Sequence, residues 1–298
     1  MNIVIPLGGL GERFKKEGYI EPKPLIKILG KEMILHVIEN LKLEKDDIIH
    51  IIYNPELDKY GFSELLNKTK ININCIKLNK QTEGSSETTL IGLNTFNDAL
   101  LNRKCILVDC DTFYTTDILS TYRKQKNNAI FSFIDKQDEP IFSYVKMNDC
   151  NIITEIKEKQ KISNYANTGC YCFETGKILK EYCEKVISKN VRQNGEYYTS
   201  CVIDMMINDG HKFHCNVIDE NDFHCVGTPL QLKLYCMNNI NKSNKLRLCF
   251  DLDNTLVTDP YRERDYTSVR PIYKNIEYLR YMKSLGHYII IHTARRMK

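Results

Sequence analysis

The sequence predicts an α/β protein in which helices cover both faces of a mixed, mostly parallel β-sheet. Apolar runs typical of buried strands recur along the chain, and patterns with helical spacing lie between several of them. This alternation favours a parallel sheet in a layered sandwich. A more strand-rich pattern over residues 140–173 indicates that the sheet is mixed.

The individual elements follow from these patterns in chain order. Strands are predicted over residues 2–6, 48–53, 71–78, 105–109, 129–134, 169–173 and 212–218. Helices are predicted over residues 31–43, 86–101, 115–125 and 176–188, because apolar side chains there recur at helical spacing.

A change in composition divides the chain after Leu234. Residues 238–245 are polar and rich in asparagine, which is typical of a linker. A strand over 246–250, a helix over 272–285 and a strand over 287–292 follow. We therefore expect a first domain over residues 1–237, a linker over 238–245 and a shorter segment over 246–298.

Composition argues against several classes of protein. The 298 residues carry a net charge of +4 without a lysine- or arginine-rich block, so no nucleic-acid partner is expected. We expect no signal peptide, because the first apolar run is short, and no membrane span, because no apolar stretch approaches the roughly 18–20 residues that one needs. The 12 cysteines are irregularly spaced, which indicates free thiols in the cytoplasm. The histidines and cysteines at 211–215 and 224–225 do not fit a zinc pattern.

The most informative stretch is the glycine-rich turn at residues 6–13 (PLGGLGER), directly after the first apolar strand. Glycines let backbone N–H groups come close to a ligand, and Arg13 adds a forked cationic donor. The alternative is a plain strand-to-helix loop. The turn predicts a phosphate or nucleotide site.

Two further motifs strengthen this prediction. In residues 21–26 (EPKPLI), two prolines bracket Lys23 and hold its backbone extended, so that its ammonium can meet a phosphate. Residues 107–112 (LVDCDT) end an apolar strand with Asp109 and Asp111, at the edge where α/β sheets bind ligands. A carboxylate there can hold Mg²⁺. A surface lysine and an exposed strand-end aspartate are the plainer alternatives.

In this order, the three motifs resemble those of the nucleotidyltransferases that make nucleoside-diphosphate sugars. The shared signature is G-G-x-G-x-R followed by P-K-P-L, and the resemblance covers roughly residues 1–235. It implies a Rossmann-like three-layer sandwich in which Arg13, Lys23 and Asp111 are catalytic and Asp111 binds Mg²⁺. The nucleotide-binding residues that it implies are Leu7, Gly8, Gly9, Gly11, Arg13, Gln81, Gly84 and Ser85.

Later segments resemble the acceptor half of the same family. Residues 157–159 (KEK) are similar to its E-K segment, which implies that Glu158 meets sugar hydroxyls and Lys159 the sugar phosphate. Residues 167–169 (NTG) are similar to its N-x-G strand, which adds Asn167 and Gly169 to the sugar-phosphate site. Residues 196–198 (EYY) and 227–229 (GTP) match the segments that follow.

One position departs from the family pattern. The family often has an aspartate two residues before the G-T pair as a second metal ligand, and this chain has Cys225 there. A thiol is a poor partner for Mg²⁺. Either Asp111 and the nucleotide phosphates hold the metal, or Asp109 or Asp222 contributes, so the number of ions stays open.

The segment 246–298 resembles the beginning of a haloacid dehalogenase-like phosphatase. Residues 251–257 (DLDNTLV) match its D-x-D-x-T motif, which implies a nucleophilic Asp251 and a general acid/base Asp253. Residues 292–296 (HTARR) are similar to its second motif and give Thr293 a phosphate contact. Later motifs of that family are missing, so we expect a truncated β-α-β piece without phosphatase activity.

The resemblance as a whole implies a cytoplasmic, Mg²⁺-dependent enzyme of nucleotide-sugar, polysaccharide or capsule biosynthesis. It would condense a nucleoside triphosphate with a phosphorylated small-molecule acceptor. The leading candidate for this acceptor is a sugar 1-phosphate. Alternatives are a cytidylyltransferase for a phosphocholine-like acceptor and a non-catalytic module that binds nucleotide sugars. A homo-oligomer is possible, and neither the base nor the acceptor is identified.

Overall fold

The computed structural model describes residues 1–9, 11–242, 245–262 and 265–295. Leu10 of the glycine-rich turn, Ser243 and Asn244 of the predicted linker, and Arg296 of the second phosphatase-like motif lie outside the described residues.

Strands and helices alternate along most of the chain. The strands are β1 (Asn2–Leu7), β2 (Lys27–Ile28), β3 (Lys31–Glu32), β4 (Ile48–Tyr53), β5 (Ile73–Lys77), β6 (Cys105–Val108), β7 (Thr112–Tyr114), β8 (Asn128–Ile134), β9 (Ser143–Met147), β10 (Ile153–Glu158), β11 (Tyr165–Phe173), β12 (Phe213–Val217), β13 (Phe223–Cys225), β14 (Arg247–Asp251) and β15 (Tyr288–His292). The α-helices are α1 (Glu12–Lys16), α2 (Met33–Asn40), α3 (Phe62–Asn67), α4 (Ser85–Leu93), α5 (Asp98–Leu101), α6 (Ile118–Arg123), α7 (Gly176–Ser188), α8 (Thr199–Asn208), α9 (Pro229–Asn239) and α10 (Tyr273–Ser284).

The central sheet is mixed and mostly parallel, as predicted. Among the described residues it has nine strands in the order β10-β9-β11-β6-β1-β4-β5, with β8 beside β11 and β12 beside β8. Strands β4, β1, β6 and β5 are mutually parallel, whereas β11 runs antiparallel to β6, β8 and β9. Among the nine described strands of this sheet, β10 and β11 run antiparallel to the other seven. The carboxyl ends of β1 and β6 therefore lie at one edge of the sheet.

The core lies on both faces of this sheet. Ile3, Val4 and Ile5 of β1 are all fully buried, which is expected when helices cover both faces. Helix α7 shows how one helix joins the core. Its buried residues Leu179, Tyr182, Cys183 and Val186 recur at helical spacing.

Most predicted elements are present, with one clear exception. The pattern over residues 86–101 predicts one helix, but the structure has α4 and α5 with a break between them. The Asn97 side chain accepts a hydrogen bond from the backbone N–H of Leu100 at 3.0 Å and so caps the start of α5. Helix α9 and a 3₁₀ turn at Ile240–Lys242 occupy part of the stretch predicted to be a linker.

Contacts within the chain divide it into two compact units. Unit 1 comprises Met1–Lys27 and Lys31–Lys233, and it contains the central sheet. Unit 2 comprises Ile28–Gly30 and Leu234–Lys298. In unit 2, β14 and β15 are parallel neighbours, and α10 packs against β15. None of the described helices is long and apolar enough to cross a membrane.

Candidate active site

The glycine-rich turn joins the buried strand β1 to the short helix α1. Gly11 adopts a left-handed backbone conformation with φ of 68° at the start of α1. A Cβ at this position would lie 3.0 Å from the Cβ of Lys23, so the turn packs closely against the lysine segment. Glycine is required here by both the backbone angle and the contact. Arg13 is exposed in the first turn of α1 and lines the adjoining cavity.

The loop at residues 81–85 is held against the glycine-rich turn and against a distant segment. The Gln81 side chain donates from Nε2 to the carbonyl oxygen of Gly8 at 2.8 Å. Gly84 has φ of 147°, and a Cβ there would lie 2.6 Å from the backbone nitrogen of Tyr197. The N–H of Ser86 donates to the Tyr197 carbonyl at 2.9 Å. These contacts make residues 81–85 one wall of the cleft.

Lys23 and Asp111 form an ion pair in the middle of the cleft. Lys23 Nζ contacts the Oδ2 atom of Asp111, and the two side chains are 22% and 18% exposed. Burial alone would lower the pKa of Lys23, but the Asp111 carboxylate outweighs it and raises that pKa above its usual range. Lys23 therefore presents a cation at the carboxyl edge of β6 near neutral pH.

Asp109 lies beside this pair at the end of β6. Its N–H donates to the carbonyl of Gly169 at 2.9 Å, and a Cβ at Gly169 would lie 2.6 Å from an Asp109 carboxylate oxygen. Burial, followed by the nearby negative charge of Asp111, raises the pKa of Asp109 well above its usual range. Two carboxylates are thus crowded at one strand end, an arrangement that a cation would stabilise.

Cys225 also borders this cluster. It pairs with Thr112 between β13 and β7, and a Cβ at Gly227 would lie 3.7 Å from the Cys225 sulfur. Burial and the charge of Asp111 raise the pKa of the Cys225 thiol to about 11, so the thiol is neutral near pH 7. Asp222, the other carboxylate considered as a metal ligand, is not among the residues that line the cleft.

Glu158 ends β10 and Lys159 follows it, and both side chains line the cleft. The buried Ser200 hydroxyl donates to Oε2 of Glu158 at 3.0 Å, which orients this carboxylate. Burial raises the pKa of Glu158. Lys159 has a left-handed backbone with φ of 52°, and its Nζ donates to the hydroxyl of Tyr198 at 3.1 Å.

Asn167 supports the cleft floor from the bulge in β11. Its Nδ2 donates to the Ser143 hydroxyl at 2.6 Å, and its Oδ1 accepts from the Ser132 hydroxyl at 3.1 Å. The side chain is only 3% exposed although it lines a cavity. Much of its hydrogen-bonding capacity is therefore used inside the protein.

These side chains line two neighbouring cavities of unit 1. The larger has a volume of about 620 Å³, and its wall includes the glycine-rich turn, Arg13, Lys23 and residues 81–85. The smaller has a volume of about 260 Å³, and its wall includes Asn167 and Gly169. Residues that line both cavities are Ser85, Asp109, Asp111, Ile141, Glu158, Glu196 and Tyr198. The structure thus brings all of the predicted nucleotide-binding and acceptor-binding residues to one cleft.

Several residues of the cleft were not singled out from the sequence. Ser143, Tyr171 and Ser200 line the smaller cavity together with Phe142. Ser200 lies two residues after the E-Y-Y segment, so its place in the chain was a signal. Ser143 carries no such pattern, because it reaches the cleft through the pairing of β9 with β10 and β11.

The phosphatase-like residues of unit 2 cluster at one edge of its two-stranded sheet. Asp251 ends β14 and lies opposite His292, the last residue of β15, and Thr293 follows. Asp253 accepts two hydrogen bonds from Nε of Arg295, at 3.0 and 3.1 Å, and this pairing lowers the pKa of Asp253. In the described part of the chain, no group of three or more histidine, cysteine, aspartate or glutamate residues has metal-site geometry.

Comparison with known proteins adds a family and a set of related folds. The family model for nucleotidyl transferases matches residues 3–229. The bifunctional protein GlmU of Campylobacter fetus subsp. fetus is 23% identical over 281 residues, which are 88% of this chain and 60% of that protein. GlmU of Methanocaldococcus jannaschii is 26% identical over 200 residues, which are 66% of this chain and 44% of that protein. The chain therefore spans less than two thirds of the length of either relative.

Solved structures share the fold at low sequence identity. The nucleoside-diphosphate-sugar pyrophosphorylase of Vibrio cholerae RC9 matches with a TM-score of 0.70 at 20% identity, over 79% of this chain and 99% of that chain. The inositol-1-phosphate CTP transferase of T. maritima matches with a TM-score of 0.62 at 16% identity, over 81% of this chain and 96% of that chain. Both are similar to this chain in their α/β architecture.

Proposed function

Because the chain belongs to the nucleotidyl transferase family, we propose that it condenses a nucleoside triphosphate with a sugar 1-phosphate, giving a nucleoside-diphosphate sugar and pyrophosphate. One observation carries the proposal. The cavity beside the glycine-rich turn and the cavity beside Asn167 share a wall that contains Asp111 and Glu158. Two substrates in these cavities would meet at the Lys23–Asp111 pair.

The proposed reaction is an in-line displacement. A phosphate oxygen of the acceptor attacks the α-phosphorus of the triphosphate, the new P–O bond forms, and the bond to the leaving pyrophosphate breaks. The attacking oxygen is already ionised near pH 7, so no general base is required. Catalysis would then depend on positioning and on neutralising phosphate charge.

The chain supplies cations on both sides of the reacting centre. The backbone N–H groups of the glycine-rich turn and Arg13 would hold the triphosphate, because both are suited to phosphate oxygens. Lys23 has a raised pKa and is paired with Asp111, so its ammonium would neutralise the reacting phosphates. Lys159, anchored at Tyr198, would hold the acceptor phosphate.

The carboxylates of the cleft fit a divalent cation. Asp109 and Asp111 present oxygen donors, which Mg²⁺ prefers, and their mutual repulsion favours a cation between them. The neutral thiol of Cys225 does not fit that role. When bound, Mg²⁺ would supply further neutralisation of phosphate charge, with Asp111 as its principal ligand and Asp109 assisting.

Assignments for two parts of the chain accompany this proposal. Residues 1–237 would be the transferase domain in the cytoplasm, serving nucleotide-sugar supply for polysaccharide or capsule biosynthesis. Residues 246–298 would be the first β-α-β part of a haloacid dehalogenase-like domain. The placement of Asp251 and Thr293 at the ends of paired parallel strands supports that assignment.

The test is a pyrophosphate assay over a grid of substrates. The protein is incubated with Mg²⁺, each of the five common nucleoside triphosphates and a panel of phosphorylated acceptors. We expect pyrophosphate release with at least one pair, and its loss in Asp111→Ala and Lys23→Ala variants that remain folded. Absence of release with every pair would favour a module that binds nucleotide sugars without catalysis.

A further inference from the structure

The smaller cavity has an unusual charge for a site that receives a phosphorylated molecule. Its wall contains the carboxylates Asp109, Asp111, Glu158 and Glu196. Among the described residues that line it, none is a lysine or an arginine. A substrate that entered this cavity with its phosphate foremost would meet four acidic side chains, of which only Asp111 has a cationic partner among the described residues, Lys23.

The cations of the cleft lie on the other side. Lys23 and Arg13 line the larger cavity, as does Lys159, and none of these three lines the smaller one. Lys159 reaches the boundary, because Tyr198, which receives its hydrogen bond, lines both cavities. The acceptor phosphate therefore belongs at this boundary, and the rest of the acceptor extends into the carboxylate-lined cavity.

Glu158 and Glu196 are the carboxylates available to that part of the acceptor. Asp111 is paired with Lys23, and Asp109 lies next to it. Glu158 accepts a hydrogen bond from the neutral Ser200 hydroxyl, and it forms no ion pair with a described residue. Glu196 is exposed and likewise forms no ion pair with a described residue. Burial, together with the nearby charge of Glu196, raises the pKa of Glu158.

We propose that the acceptor is a phosphorylated molecule that carries an amino or ammonium group, which Glu158 and Glu196 recognise in the smaller cavity. The inference depends on the nucleotidyl transfer proposed above and narrows its acceptor. A cation there would be held by charge as well as by hydrogen bonds, whereas a neutral polyol would only donate hydrogen bonds to the same carboxylates. Tyr171 also lines the cavity, and aromatic side chains attract cations.

Matched acceptors test the inference directly. Glucosamine 1-phosphate and N-acetylglucosamine 1-phosphate differ by one charged amine, and phosphocholine and 3,3-dimethylbutyl phosphate differ by one quaternary nitrogen. Pyrophosphate release is measured at pH 7 with Mg²⁺ and each triphosphate. We expect the cationic member of at least one pair to have a kcat/KM about tenfold or more higher, the size of one charge-assisted hydrogen bond. The pair that responds distinguishes an amino sugar from a phosphorylated amino alcohol.

Two glutamine variants and one control test whether Glu158 and Glu196 cause the preference for the cationic acceptor. Glu158→Gln and Glu196→Gln should each reduce the preference for the cationic member, because kcat/KM should fall more with that member than with the neutral one. Glu196 is exposed, so its variant does not put folding at risk. Glu155→Gln is the control, because Glu155 lies on the same strand and pairs with Lys146 at 2.9 Å, outside the cavities.

The outcomes separate this inference from the proposed function. Pyrophosphate release with equal or higher kcat/KM for the neutral members would overturn the cationic acceptor and leave nucleotidyl transfer standing. A preference that is equally strong in Glu158→Gln, Glu196→Gln and the parent would overturn the role of these two residues. Failure to release pyrophosphate with any of the acceptors would overturn both proposals.

Discussion

Replacement of Lys23 by methionine gives the most informative single change in the cleft. Lys23 and Asp111 are about four-fifths buried, and each is the other's ion-pair partner. The change removes the cation that would neutralise the reacting phosphates. By analogy with one electrostatic donor at an oxyanion, we expect a loss of about 2.7–4 kcal/mol of transition-state stabilisation, or about 100- to 1000-fold in turnover.

The same change should also reduce stability, for a reason that can be separated from catalysis. In Lys23→Met, the Asp111 carboxylate stays largely buried without its partner, which costs about 1–3 kcal/mol, reduced by its partial exposure. In the double variant Lys23→Met/Asp111→Asn neither charge remains. We expect its melting temperature to return towards that of the parent, while its turnover stays as low as that of the single variant.

Pyrophosphate release and thermal unfolding, measured on the same preparations, test the predicted losses of turnover and of stability. Lys27→Met is the matched control, because Lys27 lies four residues further on and its side chain is 66% exposed. Turnover of Lys23→Met within about tenfold of that of Lys27→Met would contradict the catalytic role of Lys23. So would a double variant that regains turnover together with stability.

Three further predictions concern the loop wall, acid stability and unit 2. Gly84→Ala should lower the free energy of unfolding by about 1–3 kcal/mol, because its Cβ would clash with the backbone of Tyr197, whereas Gly9→Ala, whose Cβ has no neighbour within 4 Å, should unfold like the parent. Burial lowers the pKa of His50 to about 4, so the unfolded chain binds the extra proton below pH 6.5. The free energy of unfolding should therefore fall by up to about 3 kcal/mol as the pH is lowered from about 6.5 to 4. In urea unfolding, His50→Gln should not show this loss. The protein should release no p-nitrophenol from p-nitrophenyl phosphate, because Arg295 holds Asp253, the general acid/base that the phosphatase resemblance implies. Mg²⁺-dependent release that Asp251→Asn abolishes would contradict this.

Local patterns were enough to predict much of the fold. The strand before the glycine-rich turn and the helix α7 are confirmed, because continuous apolar runs and helical spacing are local properties of the chain. The single helix predicted over residues 86–101 was wrong. Its apolar spacing continues through the break, and only the capping of α5 by Asn97 reveals where a new helix begins.

The contacts that build the cleft join residues that are far apart in the sequence. The sequence motifs nominated Lys23 and Asp111 separately, but the ion pair between them joins positions 88 residues apart. The close approach of Gly84 to the backbone of Tyr197 also joins distant segments, and no local spacing encodes it. Asn167 was predicted to meet the sugar, and its hydrogen bonds to Ser132 and Ser143 depend on strand neighbours that the sequence does not specify. The roles of these residues with substrate stay predictions.

The most direct test of nucleotidyl transfer follows the two ends of the triphosphate separately. The protein is incubated with Mg²⁺, an accepted phosphorylated molecule and triphosphate labelled with ³²P at either the α or the γ position. We predict that the α label appears in the nucleotide-acceptor product and the γ label in pyrophosphate, in equal amounts. Release of the γ label as inorganic phosphate, with the α label left in a nucleoside diphosphate, would contradict attack at the α-phosphorus and with it the central claim.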